Sequence, residues 1–370
     1  MTTNRARILA TSVAAIVAAA CVTRGFSGST LPKIDPVINT SVERGLKWLV
    51  SVQGKDGGWG QDGGETSYVR QGERLESKGN DVANTAVAAA ALLHAGNSPT
   101  SGPYHESLQR AIRFLIAHVE QSPGEGLSVT DVNGTQIQRK LGPFIDTFLT
   151  SKLFAELDGN MGDEKSDARV RMALQKCVLK IEKNQLKDGS WNVAGGWAPI
   201  LGTSMASRSL DMAQRKGVTV SQLAMARVDE YTKNSAADKP AASAGVSLYK
   251  GAQELEQLTR TGKDRERNKE QIKAITGKLS DARFVTGFGS MGGEEFFSYL
   301  NISDSMRRTG GQEWDKWNGD IKTKLVKLQN EDGTWSGHHC ITGRVAVTGA
   351  AILTLTAERD LAFASNRERK

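Results

Sequence analysis

The chain reads as an all-α protein built from repeated helical hairpins, and two observations predict it. A short phrase recurs three times: Gln53-Gly54-Lys55-Asp56-Gly57-Gly58-Trp59, Gln185-Leu186-Lys187-Asp188-Gly189-Ser190-Trp191 and Gln329-Asn330-Glu331-Asp332-Gly333-Thr334-Trp335. Each copy matches Gln-x-x-Asp-Gly-x-Trp, and an internal repeat constrains architecture more firmly than local propensity. Each copy also sits between the same two kinds of helix. An amphipathic stretch precedes it, with Val42, Leu46 and Leu49, then Val170, Leu174, Cys177 and Ile181, then Ile321, Leu325 and Leu328 each on one helical face. A helix of small residues follows, as in the alanine-rich run 83–91.

Six hairpins follow in order. The first pairs 42–52 with 81–95 across a polar, glycine-rich loop. The second places Leu108, Ile112, Leu115 and Val119 on one face and continues through 144–157. The third pairs 170–184 with 203–214, and the fourth 220–231 with 243–258. The fifth pairs 269–279 with 294–308; Phe288-Gly289-Ser290 reads as a worn remnant of its turn. The sixth pairs 314–328 with 344–358. The second helices share small polar starts, Asn84-Thr85, Asp146-Thr147, Gly202-Thr203 and Val347-Thr348, whose Asp, Asn and Thr suit N-caps.

Within the phrase each residue has work to do. Asp-Gly ends the first helix, because glycine tolerates the left-handed conformation and aspartate bonds its own backbone. Tryptophan buries a large ring. Glutamine reaches free backbone groups at a neighbouring helix end. The twelve structural positions are therefore Gln53, Asp56, Gly57 and Trp59, Gln185, Asp188, Gly189 and Trp191, and Gln329, Asp332, Gly333 and Trp335.

The phrase resembles the Gln-Trp repeat of the squalene cyclase and protein prenyltransferase superfamily. Arg44-Gly45-Leu46-Lys47-Trp48-Leu49-Val50 fits the longer form of that repeat. The resemblance implies an α/α toroid of about six hairpins, with outer helices around inner ones whose N-termini gather at one mouth. Helix dipoles there would favour an anionic ligand.

Cyclases of this superfamily protonate an alkene with an Asp-x-Asp-Asp motif, which is missing from the sequence. The lone Asp146 is the nearest catalytic candidate; as a single acid opening a helix it also suits an N-cap. Aromatic residues make up 6% of the chain. Beyond the repeat tryptophans, the main ring-bearing candidates on inner helices are Phe144, Phe148, Phe296, Phe297 and Tyr299, few for a carbocation cage. Cyclase chemistry is disfavoured. The prenyltransferases hold zinc with Asp, Cys and His. Here His338-His339-Cys340 precedes the last inner helix, and those residue types suit zinc. No Asp-x-Cys pair accompanies them, so a polar turn is the alternative. His338, His339 and Arg344 are the ligand-binding candidates, Arg344 as an anion holder or a helix cap. Glu294-Glu295 reads as acid favoured by a helix dipole. A complement-type thioester toroid lacks its Gly-Cys-Gly-Glu-Gln signature.

Length 370, 38% hydrophobic and 24% charged residues suit a globular chain with a sizeable core. Net charge is +7, but no nucleic-acid motif is present. The densest charged stretch, Lys263-Asp264-Arg265-Glu266-Arg267-Asn268-Lys269, mixes signs and reads as a solvated helix start. Arg5 and Arg7 precede an apolar run from Ile8 to Ala20, the pattern of an export signal. Ala18-Ala19-Ala20-Cys21 loosely resembles a lipoprotein box, so Cys21 is either lipidated or part of an unmodified signal cleaved nearby. The division expected is residues 1–28 for the signal and the start of a linker, 29–40 for the linker, 41–362 for the toroid and 363–370 for a charged tail. The expected setting is the periplasm, cell envelope or exterior. The expected partner is a small hydrophobic or anionic ligand, or an envelope protein, with membrane contact only through a lipid anchor. Cys177 lies on an apolar face and reads as a buried free thiol.

Overall fold

The computed structural model describes residues 35–63, 69–70, 73–74, 79–192, 199–237, 244–279 and 292–359, all within one compact unit spanning 32–370. The signal segment, Cys21, the 288–290 remnant and the charged tail lie outside the described residues. Among those described are fourteen α-helices and a ribbon of two short strands, Val69–Arg70 and Glu73–Arg74. In chain order the helices are α1 Pro36–Ser51, α2 Val82–His94, α3 His105–Gln121, α4 Gln136–Leu141, α5 Ile145–Leu157, α6 Glu164–Lys183, α7 Pro199–Arg215, α8 Gln222–Ala237, α9 Ala244–Leu258, α10 Gly262–Arg267, α11 Lys269–Leu279, α12 Gly293–Thr309, α13 Gly311–Leu328 and α14 Arg344–Leu355.

Helices α2, α5, α7, α9, α12 and α14 each pack on the next, and α14 packs back on α2. They form the inner ring. Helices α1, α3, α6, α8, α11 and α13 lie outside, each against the inner helix that precedes it, with α1 against α14. This is the α/α toroid of six hairpins. The expected outer stripes are buried: Val42, Leu46 and Leu49 on α1, and Val170, Leu174, Cys177 and Ile181 on α6. Inner helices are buried nearly all round, as α14 shows from Val345 to Leu355, which is why small residues crowd them. Within the mixed-charge stretch, α10 buries no residue.

Helix starts show where local chemistry was misjudged. Helix α1 begins at Pro36, inside the stretch expected to be linker, because Asp35 accepts from Val37 N at 2.8 Å and proline suits the first helical position. The threonines expected to cap inner helices sit a turn further in. Thr85, Thr203 and Thr348 instead accept the backbone N–H of Trp59, Trp191 and Trp335 at 2.9, 3.4 and 3.0 Å.

The three phrases share one geometry. Each indole N–H donates to the carbonyl ten residues earlier: Leu49, Ile181 and Leu325, at 2.8, 2.7 and 2.7 Å. Each aspartate Oδ1 accepts the N–H two residues on, at 2.9, 2.9 and 3.0 Å. Each glutamine Nε2 spans its own turn and then donates to the next outer helix, at Ser107 O (3.0 Å), Ala224 O (2.9 Å) and Ser41 O (2.8 Å). Gly57, Gly189 and Gly333 have φ of +92°, +89° and +88°. At Gly333 a Cβ would also lie 2.8 Å from Arg44 O, so only glycine lets the turn touch α1. The third phrase thus closes the ring on its first helix, reinforced by Arg44 donating to the Asn330 and Glu331 carbonyls at 3.1 and 2.6 Å.

Hairpin two lacks the phrase and reaches the same end with a charge. Lys180 of α6 donates back to the carbonyls of Glu125, Gly126 and Ser128 at 3.3, 3.1 and 3.0 Å.

Candidate functional site

The N-termini of the inner helices meet at one end, and their own acids satisfy several of them. Asp81 caps α2, accepting from Asn84 N and Asn84 Nδ2 at 2.8 Å each. Asp146, in the first turn of α5, caps the neighbouring helix: its Oδ1 accepts from Ala83 N at 3.1 Å and its Oδ2 from Gln138 Nε2 at 2.8 Å. Both aspartates are 1% exposed. Burial, then the Asp146 charge, pushes Asp81 up to about 7; burial pushes Asp146 up to about 6. The pair holds protons that ordinary aspartates have lost by pH 5.

The short helix α4 lies across this end, packed on α2, α5 and α7. Thr135 and Gln138 form a capping box at its start. Gln136 ties it to the turn before α14: its Oε1 accepts from Thr342 N and Gly343 N at 2.9 and 3.1 Å. Arg344 is fully engaged in the wall. It holds Asp62 through Nε and a terminal nitrogen at 3.0 Å each and Asp332 at 3.0 Å, stacked over Trp48 with its centroid 5.0 Å away. Its guanidinium braces hairpins one and six.

One group of donors is left over. Glu294 Oε, His339 Nδ1 and Cys340 Sγ all lie within 4.8 Å of one another. The imidazole Nδ1 is 3.1 Å from the sulfur and 4.0 Å from Glu294 Oε1. Glu294 is 2% exposed, and its Oε2 is buried with no hydrogen-bond partner. Cys340 has φ +65°, the one positive φ at a non-glycine among the described residues. Such strain persists only where the surroundings impose it; here Gly293 N donates to His339 O at 3.2 Å, tying the turn to the start of α12. His338 is exposed and stands outside the group. So the structure joins His339 and Cys340 from the expected trio and replaces His338 with Glu294, an acid whose sequence context suggested only a helix-dipole role.

The group does not fit a cysteine nucleophile. A relay needs the thiol and the acid on opposite ring nitrogens, and here both face Nδ1. Burial and then the Glu294 charge hold the Cys340 thiol above its ordinary range, with Lys140 of α4 opposing through a hydrogen bond to it. It does fit a metal. Tetrahedral zinc, with bonds of about 2.0–2.3 Å, sets its ligand atoms roughly 3–4 Å apart. An orphaned buried carboxylate oxygen is what such an ion would satisfy.

The opposite end of the ring, at the C-terminal halves of the inner helices, is filled by ion pairs. Lys152 of α5 and Arg208 of α7 both meet Asp304 of α12, at 3.5 and 3.3 Å, across the ring. Arg208 also meets Glu256 of α9 at 3.2 Å, and His94 of α2 meets Glu156 of α5 at 3.0 Å. Although burial opposes it, Lys152 and Arg208 draw Asp304 down to about 2. Sequence reading missed this network, because its six members are scattered over five helices. Cys177 is free and buried, its thiol pushed up to about 12 by burial. Among the described residues no helix is long and apolar enough to cross a membrane.

Comparisons with known proteins agree with the ring. The sequence pattern of the squalene-hopene cyclase C-terminal domain family matches residues 16–140. A squalene-hopene cyclase from Bradyrhizobium diazoefficiens is 35% identical over 83 residues, which span 22% of this chain and 11% of that enzyme. A type II terpene cyclase from Scytonema, solved with geranylgeranyl dihydroxybenzoate, superposes with a TM-score of 0.51 at 12% identity, covering 88% of this chain and 98% of that one. Together these findings support the squalene cyclase and prenyltransferase-like superfamily; the structural likeness, at that identity, speaks for the fold alone.

Proposed function

We propose that this squalene-cyclase-like toroid is an exported binding protein without terpene cyclase activity, and that its working surface is the end where the inner helices begin. The observation that carries this reading is the convergence of Glu294, His339 and Cys340 on one point there. Their donor chemistry suits zinc, which would supply a Lewis-acidic anchor for a small ligand. Two further observations speak against cyclase work. Asp146, the single acid comparable with the cyclase motif, is buried and already accepts two hydrogen bonds. The far half of the ring is lined by ion pairs, not by an aromatic cage.

The test is metal content. Protein purified without chelator should carry close to one zinc per chain. Glu294→Gln and Cys340→Ala should lose it, and His338→Ala should keep it. Metal-free protein that takes up no zinc on titration would sink the site. Incubation with a linear polyprene should give no cyclised product.

A second reading, a zinc-assisted enzyme acting on an isoprenoid or other lipid, is favoured by the mixed carboxylate, imidazole and thiol donor set. Turnover of a lipid substrate that depends on zinc and on Cys340 would favour it. Export, with or without a lipid on Cys21, rests on the N-terminal pattern; the mass of the mature N-terminus decides between the two forms.

A further inference from the structure

Helix α12 opens with two adjacent acids that serve different neighbours. Glu294 joins the donors of the 339–340 turn, whereas Glu295 reaches one turn along its own helix. Glu295 is buried, and its Oε2 accepts from the Tyr299 hydroxyl at 3.1 Å. That hydroxyl in turn accepts from Lys324 Nζ of α13 at 2.7 Å, and the same nitrogen lies 4.8 Å from the centre of the Tyr299 ring. Tyr299 is itself buried, with the Phe296 and Trp317 rings centred 6.1 and 6.4 Å away. The amine therefore sits against an aromatic face and a hydroxyl. Its hydrogen bond runs to a neutral group, not to a carboxylate. Burial holds the Lys324 ammonium below its ordinary range, with the Glu295 charge opposing. Lys324 is only half-buried, so part of it stays open to solvent.

We propose that Lys324 is a reactive amine that condenses with an aldehyde or ketone, and that the Tyr299 hydroxyl moves the protons. A lysine desolvated against apolar neighbours is the form of this residue that attacks carbonyls. The neutral Lys324 nitrogen bonds the carbonyl carbon, and the C=O electron pair moves to oxygen. Both N–H protons then leave with that oxygen as water, carried across by the Tyr299 hydroxyl, and an imine remains. The step needs no oxidant, reductant or metal, so it stands apart from the zinc reading.

The experiment uses the full chain, acetaldehyde as the carbonyl probe and cyanoborohydride to trap the imine, with each lysine followed by peptide mass spectrometry at neutral pH. Lys324 should be alkylated about tenfold faster than the exposed Lys55. Tyr299→Phe keeps the ring against Phe296 and Trp317 and removes the hydroxyl. It should slow Lys324 by about tenfold or more and leave Lys55 unchanged. A lysine that only staples α13 to α12 would behave in the opposite way, because release from Tyr299 would expose it and speed its modification. Lys324 reacting no faster than Lys55 in the unaltered chain overturns the proposal, whether or not the variant folds. A Lys324 rate that is unchanged or raised in folded Tyr299→Phe overturns it as well.

Discussion

The two ends of the ring use charge in opposite ways. Where the inner helices end, each charge meets an opposite one: Lys152 and Arg208 share Asp304, and Arg208 also holds Glu256. Where they begin, two aspartates sit together and a buried glutamate keeps one oxygen unpartnered. Where the helices end, most of the charges are answered by a neighbour, although Glu256 Oε1 is itself buried without a hydrogen bond. At the other end the acid pair is held by helix-start and Gln138 hydrogen bonds, and Glu294 keeps one buried oxygen without a partner. The two ends therefore differ in how their charges are balanced.

Variants should break this contrast in order of size. The largest effect belongs to the closed end. Arg208→Met leaves Asp304 to Lys152 and Glu256 to Ser204 and Arg260, and should cost about 3 kcal/mol in urea denaturation, the low end for a buried pair that loses one partner. Zinc uptake should be unchanged; a loss below 1 kcal/mol would mean the network is not what closes the ring.

The second effect is a pH signature with opposite signs at the two ends. Asp81 and Asp146 titrate above the ordinary 3.8, at about 7 and 6, so the stability they lend is complete below that value and is lost as pH rises towards 7. Asp304 titrates at about 2, so its contribution is complete above 3.8 and is lost as pH falls towards 2. Stability should therefore peak near pH 4. Asp146→Asn, which mimics the neutral acid, should flatten the limb above the peak by on the order of 2 kcal/mol and leave the acid limb in place. An unchanged upper limb would remove the acid pair from the account.

The third effect is small in stability and large in binding. Cys340→Ala at the open end should change unfolding by less than about 1 kcal/mol, since the thiol is only partly buried and alanine carries the same backbone strain, while zinc affinity falls by about a hundredfold. The smallest belongs to His338→Ala. The exposed ring should leave stability within about 0.5 kcal/mol and zinc affinity within threefold. A zinc loss equal to that of Cys340→Ala would restore His338 to the site.

How much of this was legible in the chain differs by feature. The phrase made the hairpins readable because each copy is local: indole, carbonyl and glycine turn lie within ten residues, so spacing alone encodes the contact. The glutamine bond to a neighbouring helix was legible in kind but not in partner. The threonines beneath the tryptophans were visible and misread as caps, because a helix start can slide a turn without changing its periodicity. Glu294 was hidden more deeply. It looks like any acid opening a helix, and its partners lie in the next hairpin, beyond the whole of α13.

By itself, then, the sequence determined the class of fold, the hairpin count, the buried stripes and the staples, all of which follow from short-range periodicity and turn chemistry. The tertiary structure alone decided which charges cancel and which stay unspent. Hairpins one, two and six meet at α4 and at the 339–343 turn, and α5, α7, α9 and α12 meet through Asp304 and Glu256. Those pairings depend on the order in which the ring closes, and no local pattern of residues carries that information.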